Sequence, residues 1–167
     1  MKLLKHIEDV PVPKNTKIWK RRASRAVVFD KDGLVPLLFV SKFNYHKLPG
    51  GGIEEGESEI EACEREMVEE TGCEVEINGE VGMVTEFRSF FDNLHQTSYC
   101  YIGKVIKKGA SNLEQSEIDE GFKLVWSTLD DAINQVKNDK PSNYEGKFIQ
   151  ERDLAFLEEV KKNLREV

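Results

Sequence analysis

Concentrated basic charge is what this chain of 167 residues most lacks. Its 24 Lys and Arg are outnumbered by 31 Asp and Glu, the formal net charge is −7, and no cationic block stands out beyond Lys20-Arg21-Arg22. Contacts along a nucleic-acid backbone need a dense basic footprint, so the composition argues against a nucleic-acid partner. It leaves room for a small phosphate-bearing molecule, because an acidic protein binds phosphates when metal ions supply the positive charge. No apolar run approaches the ~18 residues of a membrane-spanning candidate, which excludes a helical span. Cysteine is scarce: Cys63, Cys73 and Cys100 are odd in number and widely spaced. They fit neither a zinc-ligand spacing nor a disulfide framework, and read as small buried thiols. The three histidines are scattered and receive no role. Internal repeats and low-complexity tracts are missing. The N-terminal "MKLLKHIEDV" breaks its apolar run with Lys5 and His6 and has no signal-peptide core, so the cytoplasm is the expected address.

What is present suits one globular domain over residues 1–167, at 39% hydrophobic and 33% charged residues. Residues 1 to about 20, with Pro11 and Pro13, read as a loosely ordered lead-in. The β-branched run at residues 25–30 is followed by Asp32-Gly33, a hairpin signal, and residues 36–41 are the expected partner strand. Residues 48–58 form a glycine-rich loop, "LPGGGIEEGES". A helix follows over residues 59–71, opened by a Ser58/Glu61 capping box and closed by Gly72. Strands are expected at 74–77, 80–91 and 96–105, with a turn at Asp92-Asn93. After an acidic loop at 107–120 come a short strand at 122–126 and a helix capped by Ser127 and Asp130. A last helix over residues 147–166 puts Leu157, Val160 and Leu164 on one stripe. Strands in the middle with helices on either side predict a mixed α/β sandwich.

Within "REMVEETG", Glu66, Glu69 and Glu70 stand at i, i+3 and i+4, a spacing at which like charges cost a helix roughly 0.2–0.5 kcal/mol per pair. At 100° per residue, Ile60, Cys63, Met67 and Thr71 define the buried face. Glu70 then lies roughly 60°, Glu66 roughly 100° and Glu69 roughly 160° from its centre. The acids run outward along one flank from the core boundary, where partial burial sharpens their repulsion. One explanation is a surface helix laced with salt bridges, Arg65 to Glu69 among them. The other is a cation: oxygen ligands at this spacing on a rigid helix suit a hard divalent metal. The preceding glycines, free of Cβ, let backbone approach whatever the metal holds. Metal, glycine loop and helix together describe a site for a pyrophosphate.

The segment Gly51–Cys73 resembles the Nudix box. The box is a glycine, five residues, a glutamate, seven residues, then Arg-Glu-apolar-any-Glu-Glu-any-Gly-apolar; here its fixed positions fall on Gly51, Glu57, Arg65, Glu66, Met67, Glu69, Glu70, Gly72 and Cys73. The resemblance implies an α/β/α sandwich around a mixed central β-sheet. It implies a hydrolase that cleaves a nucleoside diphosphate linked to another moiety by water attack at phosphorus, with Mg²⁺ or Mn²⁺. Glu66, Glu69 and Glu70 would be metal ligands and catalytic groups, and Glu57 and Arg65 a pair holding loop to helix. Glu120 is the first choice for a further carboxylate, ahead of Glu117 and Glu86. Gly51, Gly52, Arg25 and Arg88 would face the substrate phosphates, and Tyr45, Phe90 and Phe91 are candidates for stacking on the base. The partner is a small nucleotide, a triphosphate (8-oxo-dGTP among them) or a nucleotide sugar; the oligomeric state stays open. Family members preferring ADP-ribose carry a proline about sixteen residues after the box, and dinucleotide-polyphosphate enzymes a tyrosine nearby. Here that place is Ser89. The competing reading is a nucleotide-binding module that has kept the fold without catalysis.

Overall fold

A computed structural model of the chain describes residues 1–12, 14–91 and 93–165. Its elements are β1 (Leu3–Glu8), β2 (Trp19–Phe29), β3 (Val35–Val40), β4 (Tyr45–Lys47), β5 (Gly50–Gly52), α1 (Glu59–Thr71), β6 (Cys73–Arg88), β7 (Leu94–Lys108), α2 (Gln115–Asp119), β8 (Phe122–Ser127), α3 (Leu129–Asn138) and α4 (Tyr144–Arg165). A five-stranded sheet runs β1-β6-β7-β2-β5, and a smaller one runs β4-β3-β8. The larger sheet is mixed. β1 lies parallel to β6 and β2 parallel to β7, while β6–β7 and β2–β5 are antiparallel.

Alternation along β2 divides the core. Ala26 and Val28 face α1, where Cys63, Met67 and Cys73 complete a small cluster. Val27, between them, points to the opposite face and joins Leu37, Ala132, Val136, Phe156 and Leu157, contributed by β3, α3 and α4. Each fully buried Val, Leu or Phe there contributes roughly 1.5–3 kcal/mol over its exposed state. Helices thus cover both faces of a mixed sheet, as the resemblance implies. All three cysteines are buried and free, as expected, and burial pushes the Cys63 thiol up to about 12. Among the described residues no helix is long and apolar enough to cross a membrane.

Helix α1 keeps its expected bounds. Ser58 Oγ accepts the Glu61 N–H at 3.2 Å, and Glu61 accepts the Ser58 N–H at 2.9 Å. Gly72 sits at φ 72°, and a Cβ there would lie 2.6 Å from the Ala110 carbonyl carbon, so both handedness and space demand glycine.

Several expectations need correction. Part of the lead-in is ordered: Leu3–Glu8 forms β1 and pairs with β6. The turn before β3 exists, with Asp30 Oδ1 accepting the Asp32 and Leu34 N–H groups. Yet β3 leaves β2 and pairs with β4 and β8 in the second sheet. The two strands expected at 74–77 and 80–91 form one bulged strand, β6. The acidic loop contains α2. The cap of α3 is Thr128, accepting from Asp131, one residue beyond the expected pair; Ser127 is buried and bonds Gln135. Ile60 and Leu164 are exposed, so the buried stripes of α1 and α4 are narrower than expected. Helix α4 starts at Tyr144, three residues early; residue 166, and Asp92 of the expected turn, lie outside the described residues.

Candidate active site

The glycine strand β5 pairs antiparallel with β2, placing Gly51 opposite Ser24 and Gly50 opposite Arg25. Helix α1 packs behind it. A Cβ on Gly51 would sit 2.5 Å from Glu66 Cδ, so a side chain here would push the Glu66 carboxylate away from the loop backbone. Gly50 donates its N–H to Glu70 Oε2 at 2.6 Å. The three glutamates grade outward as the helical arithmetic predicts, their side chains being 2% (Glu70), 13% (Glu66) and 39% (Glu69) exposed.

Cations hold these acids. Lys47 Nζ lies 2.8 Å from Glu70, and Arg65 Nη1 lies 2.8 Å from Glu66 and 3.2 Å from Glu69. The rest of the Arg65 guanidinium is bidentate on Glu57, at 2.8 and 3.1 Å, and reaches the Gly52 carbonyl at 3.0 Å. Loop and helix are thereby locked together in the expected pair. Burial raises the Glu66 carboxyl above its ordinary range against the pull of Arg65, and raises Glu70 against that of Lys47. Among the described residues no three acidic, His or Cys side chains converge as a ready-made metal cluster. The donor set nonetheless fits a hard divalent cation: carboxylate oxygens at i, i+3 and i+4, partly desolvated, beside a backbone with no side chain in the way.

These groups wall a cavity of about 390 Å³. Glu117 of α2 and Glu114 just before it close its acidic side. Glu120 does not line it; that residue ends α2, its backbone bonded to Ser116 and Lys42. Glu86 is buried beneath the cleft, accepting from Arg88 at 2.7 Å and from Gln96 at 3.2 Å. Tyr45 is a core residue, packed with Val40 and Ile149, and offers no face to a base. The Phe90 and Phe91 rings both pack against Tyr144, and Phe91 also borders an apolar hollow of about 480 Å³ with Trp19 and Leu94.

The far side of the cleft is basic. Arg25 is only 3% exposed, and among the described residues its Nε has no partner. Burial lowers its guanidinium to about 10, aided by Arg152, so it stays a cation at neutral pH. Arg88 bonds Glu86 and, at 2.9 Å, Glu145 of α4. Arg152 bonds Asp153 at 2.7 Å, and Asp153 accepts the Leu48 N–H at 2.8 Å, tying α4 to the glycine loop. Arg21 reaches Gln96 at 3.0 Å. Sequence reasoning named Arg25 and Arg88 and missed Lys47, Arg21, Glu145 and Arg152. A signal existed for the last: Arg152 and Asp153 interrupt the buried α4 stripe of Ile149, Phe156, Leu157 and Val160.

The model of the NUDIX domain family matches residues 19–150. Comparison with curated protein sequences gives no match. Among solved structures, a NUDIX hydrolase from Nitrosomonas europaea superposes with a TM-score of 0.63 at 18% identity, covering 87% of this chain and 90% of that one. A MutT protein from Methanosarcina mazei gives 0.58 at 19% identity, over 86% and 95%. An ADP-ribose pyrophosphatase from Streptococcus suis gives 0.53 at 19%, over 84% and 92%. At these identities the likeness is one of fold.

Proposed function

The chain belongs to the Nudix family, and from that premise we propose that it is a divalent-metal-dependent hydrolase of nucleoside diphosphates linked to a further group. One observation carries the reading: three graded glutamates of a single helix face a glycine strand that leaves the phosphate path free of side chains.

Glu66, Glu69 and Glu70 would hold Mg²⁺ or Mn²⁺, which when bound neutralises phosphate oxygens and lowers the pKa of a coordinated water. The chain's own groups do the rest. The Gly51 and Gly52 backbone bounds the cleft where the scissile linkage lies. Arg65, fixed by Glu57, holds the loop at constant distance from α1, the positioning on which in-line attack depends. Lys47 balances Glu70 until the cation arrives. Glu117, rather than Glu120, is the further carboxylate on the acidic side suited to take the proton of the attacking water. Arg25 and Arg88 face the phosphates from the floor. The products are a nucleoside monophosphate and the phosphorylated remainder.

The test is product identification by chromatography and mass spectrometry. Mg²⁺ is supplied with a panel of nucleoside triphosphates, oxidised guanine triphosphates, nucleotide sugars and dinucleotide polyphosphates. A nucleoside monophosphate, lost on chelation and regained with Mg²⁺ or Mn²⁺, is the expected result. Its absence across the panel would overturn the proposal in favour of a non-catalytic nucleotide-binding module.

A further inference from the structure

The floor of the cleft holds more positive charge than its own acids account for. Four arginines, Arg21, Arg25, Arg88 and Arg152, line it. The acids bonded to them are Glu86, Glu145 and Asp153, and these engage only Arg88 and Arg152. Among the described residues Arg21 has only the neutral Gln96, and neither Arg25 nor Arg88 has a partner for Nε. Arg25 lies on the same face of β2 as Arg21. A buried guanidinium with an unused donor is a costly thing to leave in a fold, and it is tolerated where an anion completes it.

From this cluster we infer that the arginine floor is a separate phosphate subsite, which takes a third anionic group of the substrate beyond the two phosphates of the scissile linkage. The substrate class is then a nucleoside triphosphate, not a nucleotide sugar whose second moiety is neutral. This rests on the pyrophosphate-hydrolase reading and adds a direction to it: the scissile linkage lies against the glutamates, and the terminal phosphate points to Arg25. Arginine suits the task because its planar fork bonds two oxygens of one phosphate together. Glu145 sets a limit on the subsite. It lies beside Arg88 and would repel a fourth anionic group.

Two measurements decide the matter. The first is calorimetric titration of the intact protein with inorganic phosphate and tripolyphosphate in chelator, where the glutamates hold no metal. Wild type is expected to bind, and Arg25→Lys and the more accessible Arg21→Gln each to weaken binding about tenfold or more. No binding by wild type, or equal binding by both variants, overturns the inference. The second compares kcat and KM for a nucleoside triphosphate and for ADP-ribose. With the subsite in use, Arg25→Lys raises KM for the triphosphate and cuts its preference over ADP-ribose about tenfold. An equal loss on both substrates would mark Arg25 as a structural ion and overturn the inference. If wild type turns over neither compound, the hydrolase reading is judged by the full panel above, and the titration still decides whether the anion subsite exists.

Discussion

The two sides of the cleft are built by opposite means. The acidic side comes from one contiguous stretch: Gly50 to Glu70 supplies the glycine strand, the Glu57–Arg65 clamp and all three glutamates, and only Lys47 and α2 are added from elsewhere. The basic side is assembled from β2, β6, β7 and α4, over residues 21 to 153. Charges on the first side hang from a rigid helix with capped ends and are partly wetted. On the second, Arg25, Arg88, Arg152, Glu86 and Asp153 are buried, Arg88 and Arg152 share Glu86, and Arg21 stays exposed. A local motif can place ligands accurately for little folding cost. A dispersed ion cluster depends on the whole fold, and in return it sits where water screens it least.

That contrast can be broken most forcefully on the basic side. Asp153→Ala removes the carboxylate that holds Arg152 and accepts the Leu48 N–H. It should lower stability by roughly 3–5 kcal/mol, because it strands a buried charge. A loss of unfolding free energy in denaturant smaller than a fifth of that would show the network to be incidental. On the acidic side the effect belongs to chemistry and not to folding. Glu69→Gln, at the most exposed of the three glutamates, should cut turnover about a hundredfold, some 2.7 kcal/mol of barrier, with the melting temperature nearly unchanged. Near-normal turnover would remove Glu69 from the metal site. The smallest effect sharpens the comparison at the helix end. Ser58→Ala loses the cap that opens α1 and should cost about 1 kcal/mol. A loss as large as that of Asp153→Ala would mean that the acidic side, too, relies on long-range support.

The same division decides how much the sequence discloses. The acidic side was legible because its signals are local: helical angle alone ordered the burial of Glu70, Glu66 and Glu69, and the caps of α1 fell on the expected residues. The sequence does not tell which of Glu117 and Glu120 lines the cavity, because α2 is five residues long and has no apolar stripe to orient it. Tyr45 was misjudged for a similar reason: a three-residue strand has too little alternation to show which face is buried. Turn chemistry predicted the bend after β2 and could not say which sheet β3 would enter, since partner choice is a matter of tertiary packing. The edge strand β1 carries one buried hydrophobic residue, Ile7, and its parallel partner is distant in sequence. Arg152 and Asp153 carry a local signal of their own: a charge pair inside an apolar helical stripe is a sign of a buried network.

The bond from Asp153 to the Leu48 N–H has a consequence in time. Protein is made from the N-terminus at about 5–20 residues per second. The glycine–glutamate segment ends at Cys73, and Asp153 follows it by 153 − 73 = 80 residues. A nascent chain therefore carries every residue of the recognisable motif for roughly 4–16 seconds before the residue that anchors its loop has been synthesised. Throughout that interval Arg25 and the glutamates lack Arg152, Asp153 and Glu145. The cleft is among the last parts of the molecule to exist, although its signature is among the first to be translated.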